Sequence, residues 1–330
     1  MAAEPADRAT ATRTRPGASS AGSFLLVALS AALWGTDALF RRGLALELPA
    51  AAVVFGEHLI LVLLTLPLLI GGLRATRSFN RADWASLVLI GAGASATATV
   101  LFTAAFALGD PTTPLLLQKV QPLIAIAGAW LLLGERPLRH YLVYLVTGIA
   151  GAYLISFPDP TNVSIAAFVP AVLALGAAAL WGMGTVLGRH LTTKVAFDQL
   201  TALRFAAGLP ASALLLWMLG GVGALGGLSG SDLLALLLLA LVPGLLALLL
   251  YYRGLRGTPA AAATLAELAF PLSAVLVNYV AFGTTLALSQ WLGVALLSGT
   301  ITVMGIAGQR SERGLGVAVR RRTEPALVEQ

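Results

Sequence analysis

The chain of 330 residues contains no cysteine. That excludes disulfides, thiolate catalysis and cysteine metal sites, and leaves the redox compartment unmarked. Charge is nearly as scarce. Only 11% of residues are Asp, Glu, Lys or Arg, against roughly a quarter in an ordinary soluble domain, so the chain cannot cover itself with polar surface. No metal-ligand spacing, Ser/His/Asp arrangement or nucleotide-binding motif is present, which argues against an enzyme, a resident cofactor and a nucleotide-driven pump. Gly221-Val-Gly223-Ala-Leu-Gly226 matches the dinucleotide pattern by letter. It follows a hydrophobic run rather than a strand and reads as a flexible linker.

What the chain has in excess is apolar: 58% of residues are hydrophobic. Spread over nearly the whole length, this points to a lipid bilayer as the solvent. A spanning helix needs about 20 apolar residues, and runs of that kind fall near 24–44, 50–70, 85–107, 112–133, 141–157, 166–188, 199–219, 232–252, 259–282 and 288–307. The sequence therefore predicts an all-α membrane protein with ten transmembrane helices. Pro158 and Pro160 mark the outer end of the fifth. The net charge of +6 does not imply nucleic acid as a partner, because the arginines are strewn through many short stretches between apolar runs and not gathered on one face.

Orientation follows from those arginines, since positive residues are retained on the cytoplasmic side. With the N-terminus inside, inner segments hold 17 Lys and Arg and outer loops hold only Arg41 and Arg42, with Lys119 and Arg204 within spans. Both termini are thus expected in the cytoplasm, at a cell membrane crossed many times.

The chain also repeats itself. Ala31-Ala32-Leu33-Trp34-Gly35 recurs 147 residues later as Ala178-Ala179-Leu180-Trp181-Gly182, and Pro122 and Gly134 recur 149 residues later as Pro271 and Gly283. Each copy holds five helices, an odd number, so the second enters the membrane from the opposite side. Two inverted five-helix repeats are an architecture from which secondary transporters build alternating access around a midplane site. The expected organisation is a disordered cytoplasmic tail over 1–22, repeats over 23–157 and 158–308, and a basic cytoplasmic tail over 309–330.

These residues, with Leu203-Arg204-Phe205 in the second helix of the second repeat and Gly134-Glu135 closing the fourth helix of the first, resemble the drug/metabolite transporter superfamily, in particular its ten-helix members built from two EamA-type repeats. The resemblance covers roughly 24–307. It departs where Glu57-His58 replaces the Arg of Leu-Arg-Phe and where Gly283-Thr284 replaces Gly-Glu. It implies export of amino acids, other metabolites or toxic compounds.

Ionisable residues inside a span cost several kcal/mol unless paired or wetted, so each is a functional candidate. They are Asp37, Glu57, His58, Lys119, Arg204 and Glu267. Glu57 and Lys119 are expected about 10 to 12 Å below the outer surface, with Arg204 and Glu267 at comparable depth from the inner one. The repeat offset suggests a Glu57–Lys119 contact outside and an Arg204–Glu267 contact inside, serving either as helix cross-links or as gates. Asp37 and Glu57, sharing only Lys119, are the expected proton carriers. His58 is either a relay or a packed histidine. Trp34 and Trp181, near mid-helix, either pack beside Gly35 and Gly182 or wall a substrate cavity. Gln118 and Gln121 share a helix face and either bind solute or hydrogen-bond a neighbour. Pro122 and Pro271 break their helices at equivalent points, a pointer to the binding region.

The function expected is a secondary active transporter, a proton-coupled exporter of amino-acid-like metabolites or drugs, with small-molecule substrate, bilayer and protons as its partners. The alternative is a channel or lipid-handling protein of the same architecture.

Overall fold

The computed structural model describes residues 21–107, 117–118, 120–135, 139–163, 168–283 and 285–303. Among the described residues the chain is helical, with no strand. Seven helices are long and apolar enough to cross a membrane: α1 (Ala21–Arg41), α2 (Ala50–Ser78), α3 (Arg81–Ala105), α6 (Phe168–Leu191), α7 (Phe197–Met218), α8 (Gly230–Arg256) and α9 (Ala260–Ala281). Three shorter apolar helices complete the order: α4 (Gln121–Leu133), α5 (Tyr141–Ile155) and α10 (Leu288–Val303). The chain is a multi-pass membrane protein.

Local chemistry sets the ends of these helices, and it does so twice. Helix α3 opens on a capping box in which Asn80 Oδ1 accepts from the Asp83 amide at 2.9 Å and Asp83 accepts from the Asn80 amide at 3.0 Å. Helix α8 opens on the same device in Ser229 and Asp232, at 3.2 and 2.9 Å. Each box satisfies amides that the first turn leaves free. The stretches after α4 and α9 turn on Gly134 and Gly283, at φ 66° and 63°, a left-handed conformation that glycine adopts without a Cβ penalty. Both pairs stand 149 residues apart.

Two helices are interrupted. Helix α1 stops at Trp34, turns through Gly35 and Thr36, and resumes at Asp37. A Cβ on Gly35 would run into the Ser273 side chain and lie 2.7 Å from the Ala274 amide of α9. Only glycine permits that approach. Helix α9 breaks at Glu267 and Leu268, between Ala260–Ala266 and Ala269–Phe282. Pro271 has no N–H to offer the Glu267 carbonyl, which accepts from Phe270 N at 3.0 Å instead. In α3 and α8 the helix widens to π geometry over Leu89–Thr97 and Ala240–Leu246, the second around Pro243, which cannot make the ordinary backbone bond.

Helices of the two halves cross-pack. Helix α1 lies on α8 and α9, α2 on α7, and α6 on α3 and α4. Every residue of Ala260–Ala266 is buried, so α9 is a smooth seam at the centre. Leucine and isoleucine such as Leu63, Ile70 and Leu131 point outward, where lipid tails are as apolar as they are.

Several expectations are corrected here. The first span is not one continuous helix over 24–44, because the contact at Gly35 interrupts it, and Trp34 ends a segment instead of sitting mid-helix. Ala21 and Gly22, expected in a disordered tail, already belong to α1. The Gly221 run is no flexible linker. Val222–Gly227 forms a 3-10 helix, with Ala224 and Leu225 packed on Ala51, Ala52 and Leu216. Residues 112–116 and Lys119 of the expected fourth span lie outside the described residues, as do most of the two tails.

Candidate functional site

The break in α9 presents Glu267 to three other helices. Its Oε2 accepts from Gln121 Nε2 of α4 at 2.8 Å. Its Oε1 accepts from Thr185 Oγ1 of α6 at 2.9 Å and from the Tyr251 hydroxyl of α8 at 2.8 Å. Thr185 and Tyr251 are buried. All three donors are neutral, and no cation among the described residues lies within ion-pair distance of the carboxylate. A buried carboxylate held by neutral donors, without a direct ion pair, is expensive. Such a group is suited to take up a proton or a cationic ligand group.

Arg204 of α7 faces the same region and is engaged elsewhere. Its Nε donates to Ser95 Oγ of the α3 π stretch at 2.6 Å, and Nη1 donates to the Tyr252 hydroxyl at 3.1 Å. The direct Arg204–Glu267 contact expected from the repeat offset is therefore absent. The two are joined through neighbouring residues, Tyr252 on the arginine and Tyr251 on the carboxylate. The physical reason is competition: the guanidinium is held by Ser95 and Tyr252 while Gln121, Thr185 and Tyr251 fill the carboxylate. The repeat equivalence was also off by one, since the residue 149 before Glu267 is Gln118 and not Lys119.

The tryptophans stand beside this network. Trp34 packs on Tyr251 with ring centroids 5.2 Å apart, and Trp181 meets Phe102 edge-to-face at 5.1 Å. Tyr251 and Phe102 are themselves separated by 149 positions. Gly182 presses α6 onto α4, where a Cβ would lie 3.0 Å from the Gln121 carbonyl and 3.2 Å from the Ala125 amide. That is the counterpart of Gly35 against Ser273 and Ala274.

Asp37 and Glu57 share a cation other than the expected one. Arg41, expected in a loop, is helical. It grips Asp37 through two bonds of 2.6 and 2.8 Å and reaches Glu57 Oε2 at 2.9 Å. One guanidinium thus ties the resumed part of α1 to α2, because its planar fork matches a carboxylate at two points. Lys119, and with it the expected Glu57–Lys119 contact, falls outside the described residues.

His58 is a packed histidine. Its Nδ1 donates to the Val54 carbonyl at 2.8 Å, while buried Nε2 has no hydrogen-bond partner and is pressed on Gly208. Gln118 also carries a buried atom without a partner, Oε1. Pro122 is the second residue of α4 and is buried.

Sequence reasoning overlooked the helix ends around Asp83 and Glu135. The fully buried Asp83 carboxylate receives Lys194 at 2.7 Å and His190 Nε2 at 2.8 Å. Glu135 accepts from the Ala260 amide at the start of α9 at 2.7 Å and from Arg189 Nε at 3.4 Å. Arg189 also donates to the Leu255 carbonyl at 2.9 Å and to that of Arg256. The ends of α3, α4, α6, α8 and α9 are laced together. The signals for this were available: an Asn-x-x-Asp box at Asn80 and a carboxylate directly after Gly134.

Comparisons with known proteins agree with this fold. The pattern of the EamA-like transporter family matches residues 22–157 and again 169–306. The chain is 32% identical over 271 residues to the riboflavin transporter ImpX of Fusobacterium nucleatum subsp. nucleatum, covering 80% of this chain and 90% of that one. It is 30% identical over 290 residues to the uncharacterized transporter YwfM of Bacillus subtilis, covering 87% and 95%. A crystal structure at 21% identity superposes with a TM-score of 0.71, covering 89% of this chain and 100% of that one.

Proposed function

Because the chain belongs to the EamA-like transporter family, we propose that it is a secondary carrier working by alternating access, with ten helices in two inverted repeats and both termini in the cytoplasm. The observation that carries this is the exchange of equivalent contacts between the halves. Gly35 receives α9 as Gly182 receives α4, and Trp34 meets Tyr251 as Trp181 meets Phe102. Two near-equivalent interfaces in opposite orientation allow one to close as the other opens around a fixed site. The three shorter apolar helices α4, α5 and α10 supply the remaining crossings, and the 17-to-2 arginine asymmetry supplies the orientation.

In this reading the site lies between Glu267, Gln121, Thr185, Arg204 and the two tryptophans. Glu267 is the proton-coupling group, a role transferred to it from Asp37 and Glu57, whose charge is shared with Arg41. The laced inner ends and the Asp37–Arg41–Glu57 tie act as the two gates. Both charge signs at one site suit the ammonium and carboxylate of an amino-acid-like solute leaving the cell.

A second reading of the substrate is a flat heteroaromatic such as riboflavin. It is favoured by the two aromatic pairs and by the 32% identical riboflavin transporter. Counterflow into liposomes against amino acids, cationic drugs, nucleosides and riboflavin decides among these. Saturable exchange of one class, accelerated by a pH gradient and lost in Glu267→Gln, is the expected result. Flux linear in gradient and indifferent to pH overturns the carrier in favour of a channel.

A further inference from the structure

Gln118 precedes Glu267 by 149 positions, the separation that also relates Pro122 to Pro271, Gly134 to Gly283 and Phe102 to Tyr251. Around Glu267 three side chains donate hydrogen bonds: Tyr251, Thr185 and Gln121. At the corresponding positions around Gln118 the sequence has no donor. Phe102 stands where Tyr251 would, Phe270 where Gln121 would, and Ala38, by the offset of 147, where Thr185 would.

The consequence is visible in the side chain. Gln118 Oε1 is buried and has no hydrogen-bond partner, an arrangement that costs stability and that folded proteins rarely leave without a reason. An amide oxygen only accepts, so what completes it must bring an N–H or O–H. A neutral donor suits it better than a cation, because an uncharged amide oxygen does not offset the cost of burying a charge. The surroundings are aromatic and partly open: Trp181 and Phe102 are each half-buried and meet edge-to-face, and α6 is pressed onto α4 at Gly182, one turn from Gln118.

We propose that Gln118, Trp181 and Phe102 form a second ligand half-site, the counterpart of the Glu267 site, that takes a neutral, flat heteroaromatic ring with an N–H on its edge. The ring lies on the aromatic side chains, where such contacts favour π faces over aliphatic ones, and the N–H donates to Gln118 Oε1. The half-site rests on the carrier reading and adds to it. One half of the molecule offers a charged acceptor and the other a neutral one.

The test uses the full chain in lipid nanodiscs and the two-ring heteroaromatic lumazine, compared with its fully N-methylated analogue, which keeps the ring and lacks the donor. Binding is read by ligand-detected NMR. The wild type is expected to prefer lumazine at least tenfold, and Gln118→Leu to abolish the preference while melting no lower than wild type, since it removes an unsatisfied buried oxygen. A Gln118→Leu variant that keeps the preference overturns the half-site, as does a wild type that does not discriminate. A wild type that exchanges solute in counterflow without discriminating loses the half-site and keeps the carrier reading. One that discriminates through Gln118 but exchanges nothing keeps the half-site and loses the carrier.

Discussion

The hydroxyl of Tyr251 reaches the carboxylate of Glu267 at 2.8 Å while its ring rests on Trp34. One side chain thereby joins the break in α9 to the residue just before the break in α1.

Tyr251→Phe removes that donor and keeps the ring. A hydrogen bond to a charged group is worth about 1.5–3 kcal/mol, so initial counterflow rates should fall between about tenfold and a hundredfold. The fold should tolerate the change, since Phe102 occupies the equivalent place in the other half. Wild-type rates in this variant would remove Tyr251 from the site.

The two glycine contacts differ in tightness, and their alanine variants should differ in the same order. At Gly35 the obstacle includes backbone, the Ala274 amide at 2.7 Å; at Gly182 the nearest atoms are 3.0 Å away or more. Overpacking costs about 1–3 kcal/mol, and Gly35→Ala should sit at the upper end. Thermal unfolding in detergent measures both, and Ser273→Gly should recover part of the loss at Gly35 alone.

Lys194→Met leaves the fully buried Asp83 side chain with His190 as its remaining side-chain partner from α6. Breaking a fully buried pair costs about 3–5 kcal/mol. Lys194 is 32% exposed, so a loss of about 1–3 kcal/mol is expected after solvent screening. Asp83→Asn in the same background should recover stability. If the double variant melts below Lys194→Met, the tie is not electrostatic.

Much of this was legible in the sequence, and the failures are informative. The spacing of Trp34 to Trp181 and of Pro122 to Pro271 revealed the two related halves, because a duplicated fold keeps the residues that let backbones approach. Glu267 was legible as an ionisable residue in an apolar run. Of its partners Gln121 was singled out, as an amide at membrane depth; Thr185 and Tyr251 were not, since they are ordinary in membrane helices and only folding brings them to one carboxylate. Arg41 was counted with the outer loops because a pair of arginines at the end of the first span reads as an interfacial charge, whereas Arg41 is helical and bound to two carboxylates. The Arg204–Glu267 pairing failed because each group has neutral partners nearer to hand, which an offset between repeats does not reveal.

The cross-packing of the halves bears on how the protein is made. Helices α1, α2 and α4 find their main partners on α8, α9, α7 and α6, all of which leave the ribosome later. Until then the tight seats at Gly35 and at Gly91, whose added Cβ would lie 2.8 Å from the Arg204 carbonyl, are open to lipid. Neither half is a self-sufficient folding unit, and a nascent chain halted after Phe157 would have to wait in the bilayer with its best surfaces unmatched. Assembly is therefore expected late, when the helices of the second half reach those of the first.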